Sequence, residues 1–340
     1  MKTFLCLLLS LFVTTAAPTR ATAAPKKVSV VTTLNVLAGL AREVGGARVD
    51  VTALARPNQD PHTLVAKPTF KVAAKNAKLF IEIGLGLDTW ASAVTDASGN
   101  PDIQTGQKGR VVASDGVVTR ELPATLSKAW GDIHPQGNPH VWLDPVNVKQ
   151  LAANIAAGLT RVDPDGKDLY AANLKAFSAK VDDQLYGHAL VEEYGASKLE
   201  RLSRRGELVS YLKAKGTYDK LGGWLKRAEP LRGLKILTYH KTWGYFCARF
   251  GIEIRGEIEE KPGIPPSQDY LASLIKKVPS EGIKVLFIDT IYPTKDGQFL
   301  ANKTGAKIVS SPIDLGGAPG TGDYFGLIDT LLSRVLAAAK

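Results

Sequence analysis

Val28-Ser-Val-Val-Thr-Thr-Leu34 is a strand-like run of β-branched and apolar residues, and the helical pattern Leu37 to Val44 follows it at once. The same alternation continues outward. Val49-Asp-Val-Thr-Ala-Leu54, Leu79-Phe-Ile-Glu-Ile83 and Arg110-Val-Val-Ala113 read as further strands, with Thr69 to Asn76 helical between them. Strands alternating with helices predict an α/β unit with a mainly parallel sheet. A second set begins later with Lys235-Ile-Leu-Thr-Tyr239, Glu253-Ile-Arg-Gly-Glu257, Lys284-Val-Leu-Phe-Ile288 and Lys307-Ile-Val-Ser310. Tyr270 to Val278 and Asp323 to Ala339 read as its helices. The chain therefore divides into a first α/β lobe over 25–147, linking helices over 148–191, a surface helical insertion over 192–232 and a second α/β lobe over 233–340. In the link, Tyr170, Leu174, Phe177 and Val181 recur at helical spacing. The helix they imply runs to about Val191, about 25 residues and about 37 Å, long enough to span both lobes.

The start of the chain bears on compartment. Met1-Lys2 is a short positive start, Thr3 to Ala17 is almost charge-free and apolar, and Ala21-Thr22-Ala23 fits a small-residue cleavage site. Residues 1–24 read as a secretory signal peptide, which places the mature protein in the periplasm. Of the two cysteines, Cys6 leaves with that leader. Cys247 alone cannot form an internal disulfide and reads as a buried thiol, so folding rests on packed cores. The formal charge is +10, and removing Lys2 and Arg20 leaves +8. Lys and Arg are spread along the chain rather than clustered, so the balance argues for a solvated surface and against a nucleic-acid partner. It does nothing to attract a cation.

Histidine is scarce, with five in the chain, and three of them stand beside turns or strand ends. His62 closes Arg56-Pro-Asn-Gln-Asp-Pro-His62 after the second strand. His140 lies in Gly137-Asn-Pro-His-Val-Trp-Leu-Asp-Pro145. His240 follows Lys235-Ile-Leu-Thr-Tyr239 directly. Open α/β sheets bind ligands beyond the carboxyl ends of their strands, so a cleft between the lobes would bring the three together. Asp289 and Asp314 share that position in the second lobe, and either would complete a shell of four. Three imidazoles and one carboxylate suit a tetrahedral zinc ion. Each residue alone reads more simply as a cap or a surface group. His188, in Tyr186-Gly-His-Ala, reads as structural.

Three windows resemble the metal-specific (cluster A-I) solute-binding proteins of ABC importers, and among them the zinc-uptake type. They are Pro57 to Lys67, Gly137 to Pro145, and Leu234 to Gln268 with its Lys261-Pro-Gly-Ile-Pro-Pro-Ser-Gln268 element. The resemblance implies two pseudo-symmetric lobes joined by a rigid backbone helix, with metal at their interface. It implies His62, His140 and His240 as ligands and Asp314 as the fourth, with Asp289 nearby. Manganese-type relatives carry a glutamate at the third position, where this chain has His240. Many zinc members carry a long His- and acid-rich loop before the second ligand. Here Leu122 to Gln136 offers only Asp132 and His134, which leaves a metal-gathering role for those two and a partner metallochaperone as expectations.

The function expected is capture of Zn2+ as transported ligand, without turnover, by a monomer that delivers it to an ABC transporter membrane permease. Asp60, Asp144 and Glu257 are the candidate acceptors behind the imidazoles. The alternatives are a manganese- or iron-binding protein of the same family and a secreted zinc-dependent hydrolase. No H-E-x-x-H or comparable motif favours the hydrolase.

Overall fold

The computed structural model describes residues 27–123 and 133–340. The leader assigned to 1–24 and Asp132 lie outside them. The first lobe runs β1 (Val28–Thr32), α1 (Asn35–Gly45), β2 (Val49–Ala53), α2 (Pro68–Lys75), β3 (Leu79–Glu82), α3 (Trp90–Ser98) and β4 (Arg110–Val112). Then come α4 (Pro145–Val162), α5 (Lys167–Tyr186), α6 (His188–Tyr194), α7 (Ala196–Arg204), α8 (Leu208–Lys215) and α9 (Gly223–Arg227). The second lobe follows with β5 (Lys235–Thr238), α10 (Gly244–Phe250), β6 (Glu253–Glu257), α11 (Gln268–Ser280), β7 (Val285–Asp289), α12 (Lys295–Thr304), β8 (Lys307–Ser311) and α13 (Tyr324–Ala339).

Each lobe holds one four-stranded, all-parallel sheet, ordered β2-β1-β3-β4 and β6-β5-β7-β8. The two orders are identical, which is the pseudo-symmetry expected. Parallel strands covered on both faces must be apolar on both sides. Val285 to Asp289 is accordingly buried at every position. In the first sheet Val30 and Ile81 face α1 and α4, while Val31 and Phe80 face Phe70, Trp90 and Val94. In each sheet the order reverses direction between its first and third strands in sequence. Beyond that switch point the carboxyl ends of the strands open onto the cleft.

One apolar cluster runs from Val30 in β1 through Phe177 in α5 to Phe287 in β7 and Leu331 in α13, so the lobes share a core. Helix α5 packs on α1 at one end and α9 at the other. Midway, Phe177 meets Tyr324 and Phe325 of α13 edge to face. This is the rigid connection the periodicity predicts, but shorter, at 20 residues rather than reaching Val191. It stops because Gly187 takes φ +85°, and a Cβ there would come within 2.6 Å of the Gly222 Cα. His188 consequently begins α6 instead of sitting inside the long helix, and its side chain is exposed.

Residues 192–232 are helical and largely exposed, but one side of them is apolar and packs inward. Leu199, Leu208, Leu212, Leu221, Trp224 and Leu231 all lie in the shared core. The Trp224 indole N–H donates to Asp329 Oδ1 of α13 at 2.9 Å. The charged residues of this stretch cover its outer face and mask an inner apolar stripe. Among the described residues no helix is long and apolar enough to cross a membrane.

Candidate metal centre

Three turns carry the three histidines to the cleft. Asp60-Pro61-His62 follows β2 and is anchored by the Trp90 indole, which donates to Pro61 O at 2.9 Å. Asn138-Pro139-His140 has the same form and leads into a 3-10 turn, Val141–Leu143, and then α4. His240 extends β5 by two residues. Their rings lie with centroids 5.3 Å (62–140), 5.3 Å (62–240) and 5.9 Å (140–240) apart. One ring nitrogen from each lies within 4.8 Å of the other two. Donors in a tetrahedral zinc shell stand about 3.4 Å apart for bonds of about 2.0–2.1 Å. An ångström or so of convergence therefore closes the shell.

The other nitrogen of each ring is engaged from behind. His62 Nδ1 meets Asp60 Oδ1, His140 Nδ1 meets Asn138 Oδ1 and His240 Nδ1 meets Glu259 Oε2, each at 2.9 Å. An ionised carboxylate or an amide oxygen only accepts, so Nδ1 carries the proton and the Nε2 lone pair faces the centre. The buried Nε2 of His140 has no hydrogen-bond partner. Such an orphan is costly unless something else fills its lone pair, and a cation at the focus of the three rings does so. Burial, and then the positive character of His62, His240 and His134, hold His140 well below the ordinary imidazole range. It is neutral at neutral pH, the form a metal needs. Burial works to raise the Asp60 carboxyl, but the hydrogen bond and charge of His62 bring it below its usual range.

The expected accessory residues divide. Asp60 backs His62 as anticipated. Glu257 does not back an imidazole. It ends β6 and lines the cavity, and Glu259, two residues on, reaches His240 because its N–H bonds Tyr239 O and runs the loop beside it. Asp144 backs no histidine either. It caps α4 through Val146 N–H and accepts from Nε and Nη2 of Arg249, each at 2.8 Å.

The structure does not bring Asp314 into the histidine group. Its two oxygens take the N–H groups of Asn35, Val36 and Leu315 and the Asn35 side-chain amide, at 2.6 to 3.0 Å. The carboxylate thus caps α1, whose own N-cap residue, Leu34, has no side chain to do so. Asp289 is not in the converging group either. It is fully buried, with Thr242 Oγ1 donating to Oδ2 at 3.2 Å and Oδ1 unpartnered. Burial, with Glu259 and Asp60 adding their negative charge, pushes its carboxyl well above the usual range. His134 does come to the site, its ring centroid 5.2 Å from that of His62.

Two cavities flank the rings. One of about 550 Å³ is lined by Glu121, His134, His140, His240, Glu257 and Glu260 among others. The second, about 390 Å³, is lined by Asp60, His62, His240 and Tyr292 among others.

The family description "Zinc-uptake complex component A periplasmic" (ZnuA) matches residues 30–186 and 212–338. The chain belongs to the ZnuA family. The unmatched interval falls on α6, α7 and the start of α8. The chain is 25% identical over 285 residues to the high-affinity zinc uptake system protein ZnuA of Bacillus subtilis (strain 168), covering 83% of this chain and 76% of that protein. It is 25% identical over 339 residues to the iron ABC transporter substrate-binding lipoprotein MtsA of Streptococcus pyogenes serotype M1, covering 96% and 94%. A crystal structure of ZnuA shares the fold, with a TM-score of 0.69 at 23% identity over 93% of this chain and all of that one. ZnuA-family proteins are metal-binding periplasmic solute-binding proteins of ABC importers, not enzymes. The named ions differ among the relatives, so kinship alone does not choose the metal.

Proposed function

We propose that this protein is exported by the leader at 1–24, captures Zn2+ with high affinity in the periplasm and delivers it as a monomer to an ABC permease. One observation carries the reading: three buried or half-buried imidazoles, two from the first lobe and one from the second, converge with every Nδ1 already committed. His62, His140 and His240 are the ligands of this proposal. His134, whose ring lies beside that of His62, is one candidate for the fourth position and water the other, while Asp314 stays on its helix. The missing His-rich loop makes a periplasmic metallochaperone the natural upstream partner. The choice of zinc rests on donor type, since an all-nitrogen set suits zinc, whereas manganese prefers oxygen.

Elemental analysis of protein purified without added metal tests this. One zinc per chain is expected, retained against an equal concentration of manganese. Manganese or iron that zinc fails to displace would overturn the choice of ion.

Affinity also depends on pH with a definite sign. Protons compete for ligand nitrogens, so zinc binding weakens as pH falls, by up to about tenfold per pH unit for each ring that must lose a proton. Burial holds His140 well below the ordinary imidazole range, so that ring resists protonation as the pH falls. Competition titrations at several pH values check the sign, and an affinity that does not fall with pH contradicts it.

A further inference from the structure

The turns Asp60-Pro61-His62 and Asn138-Pro139-His140 do the same thing to their histidines. In each the Asx Oδ1 accepts from the histidine backbone N–H, at 3.0 and 2.9 Å, and meets its Nδ1 at 2.9 Å. They differ in charge. A carboxylate behind a ligand imidazole raises its basicity, and His62 and His240 both have one. If holding the ring were the whole task, aspartate would serve at 138 as well.

The amide's other end explains the difference. Asn138 Nδ2 donates to Lys241 O at 2.5 Å and to Glu121 Oε2 at 2.8 Å. Lys241 is the residue after His240, so one side chain grips the back of a first-lobe ligand and the main chain of the second-lobe ligand. Tyr245 of α10 seals the junction: its hydroxyl donates to Asn138 O at 2.8 Å and accepts from Arg120 N–H at 3.1 Å. Asn138 is 5% exposed, so these bonds are shielded from competing water. By contrast Asp60 acts on His62 within its own turn, and Glu259 acts on His240 within the second lobe. An amide is the side chain of this size that can accept from a ring N–H and donate to a carbonyl together.

We propose that Asn138 is an inter-lobe latch that sets how slowly the captured ion leaves. This rests on the metal-capture reading. With the ion bound, His140, the ion, His240, Lys241 and Asn138 form a closed ring. The turn that carries His140 and the main chain that carries His240 cannot draw apart without breaking the Asn138–Lys241 bond. Asn138 is a positioning residue and does not touch the ion.

Asn138→Asp isolates the latch, because it keeps the acceptor for His140 and loses both donors, setting a carboxylate against Lys241 O and Glu121. Zinc-loaded full-length protein is mixed with excess EDTA to read the dissociation rate, and association is measured separately. The variant is expected to release zinc about 10–100-fold faster, the usual penalty for disturbing an outer partner of a ligand. Its association rate should be unchanged, and its Co2+ absorption bands should match wild type, since the ligands are the same. Release at the wild-type rate or slower would overturn the latch. Should Asn138→Asp fail to fold, Tyr245→Phe decides, with faster release supporting the latch and an unchanged rate refuting it. Wild-type protein that binds no zinc refutes the capture reading itself, whereas tight wild-type binding with an indifferent Asn138→Asp refutes only the latch.

Discussion

Replacing His140 by alanine is expected to weaken zinc binding by about a hundredfold to a thousandfold while leaving the fold intact. Structural zinc sites contribute about 10–16 kcal/mol of apparent binding free energy. Shared among four ligands, that is about 2.5–4 kcal/mol each, or two to three powers of ten at about 1.4 kcal/mol per decade. His240→Ala should cost a similar amount. Combining the two should cost less than the sum, because a shell with one ligand removed has already relaxed. The fold should survive because the ring removed carries an unsatisfied Nε2 in the metal-free protein. Its loss removes a desolvation penalty as well as packing. Zinc titration against a chelating dye, with a thermal melt of the metal-free variant alongside, reads both quantities. Affinity within about threefold of wild type for either variant would remove the histidines from the metal, since a lost ligand costs far more than that.

Much of this was legible in the chain. Val28 to Leu34 and its counterparts mark strands because β-branched residues at buried positions leave few other options. The meeting of His62, His140 and His240 followed from the turn or strand-end place of each, facing one cleft. What failed to show was whatever depends on the partner that a side chain meets across the molecule. Topology left Asp289 and Asp314 equal, and Asp314 looked like the ligand because its loop resembles the one that carries the family's fourth donor. A local signal against that existed, since α1 begins after Leu34 with no Ser, Thr, Asp or Asn in the capping place. A buried helix start without its own cap must borrow one. Glu257 and Glu259 were indistinguishable by spacing, and only the path of the loop beside Tyr239 chooses between them. His134 was singled out for metal gathering and not for the centre itself, because nothing in Ile133-His-Pro-Gln136 shows that its ring lies beside that of His62. The core role of Leu199, Leu208 and Trp224 was hidden by the lysines and arginines around them.

Asp144→Asn is expected to produce the largest loss of stability, with little change in zinc affinity. The carboxylate and Arg249 form a two-pronged pair at 2.8 Å, with side-chain exposures of only 10% and 9%. The pair joins the turn after His140 to α10, and the Tyr324 hydroxyl donates to Trp142 O in that same turn. Burial works to lower the Arg249 pKa, but Asp144 outweighs it, so the guanidinium stays charged. Asparagine keeps Oδ1 to cap α4 and to accept from Arg249 Nε, and matches the shape, but it loses the charge and sets an amide N–H against Arg249 Nη2, which loses its acceptor. A buried guanidinium without its counter-charge costs about 3–5 kcal/mol, or about 10 °C of melting temperature in a chain of this size. Because Asp144 touches no imidazole, zinc affinity of the folded variant should stay within about threefold, below the cost of disturbing a direct or outer partner of the ion. A second change gives the interpretation its edge. Converting Arg249 to Met in the Asp144→Asn background removes the stranded charge, and most of the lost stability should return, since apolar replacements of buried pairs are often neutral. Thermal melts of wild type, both single variants and the double variant read the coupling directly. Additive losses would mean that the two side chains act independently and that the junction between the histidine turn and the second lobe is held by Trp142 and Tyr324 instead.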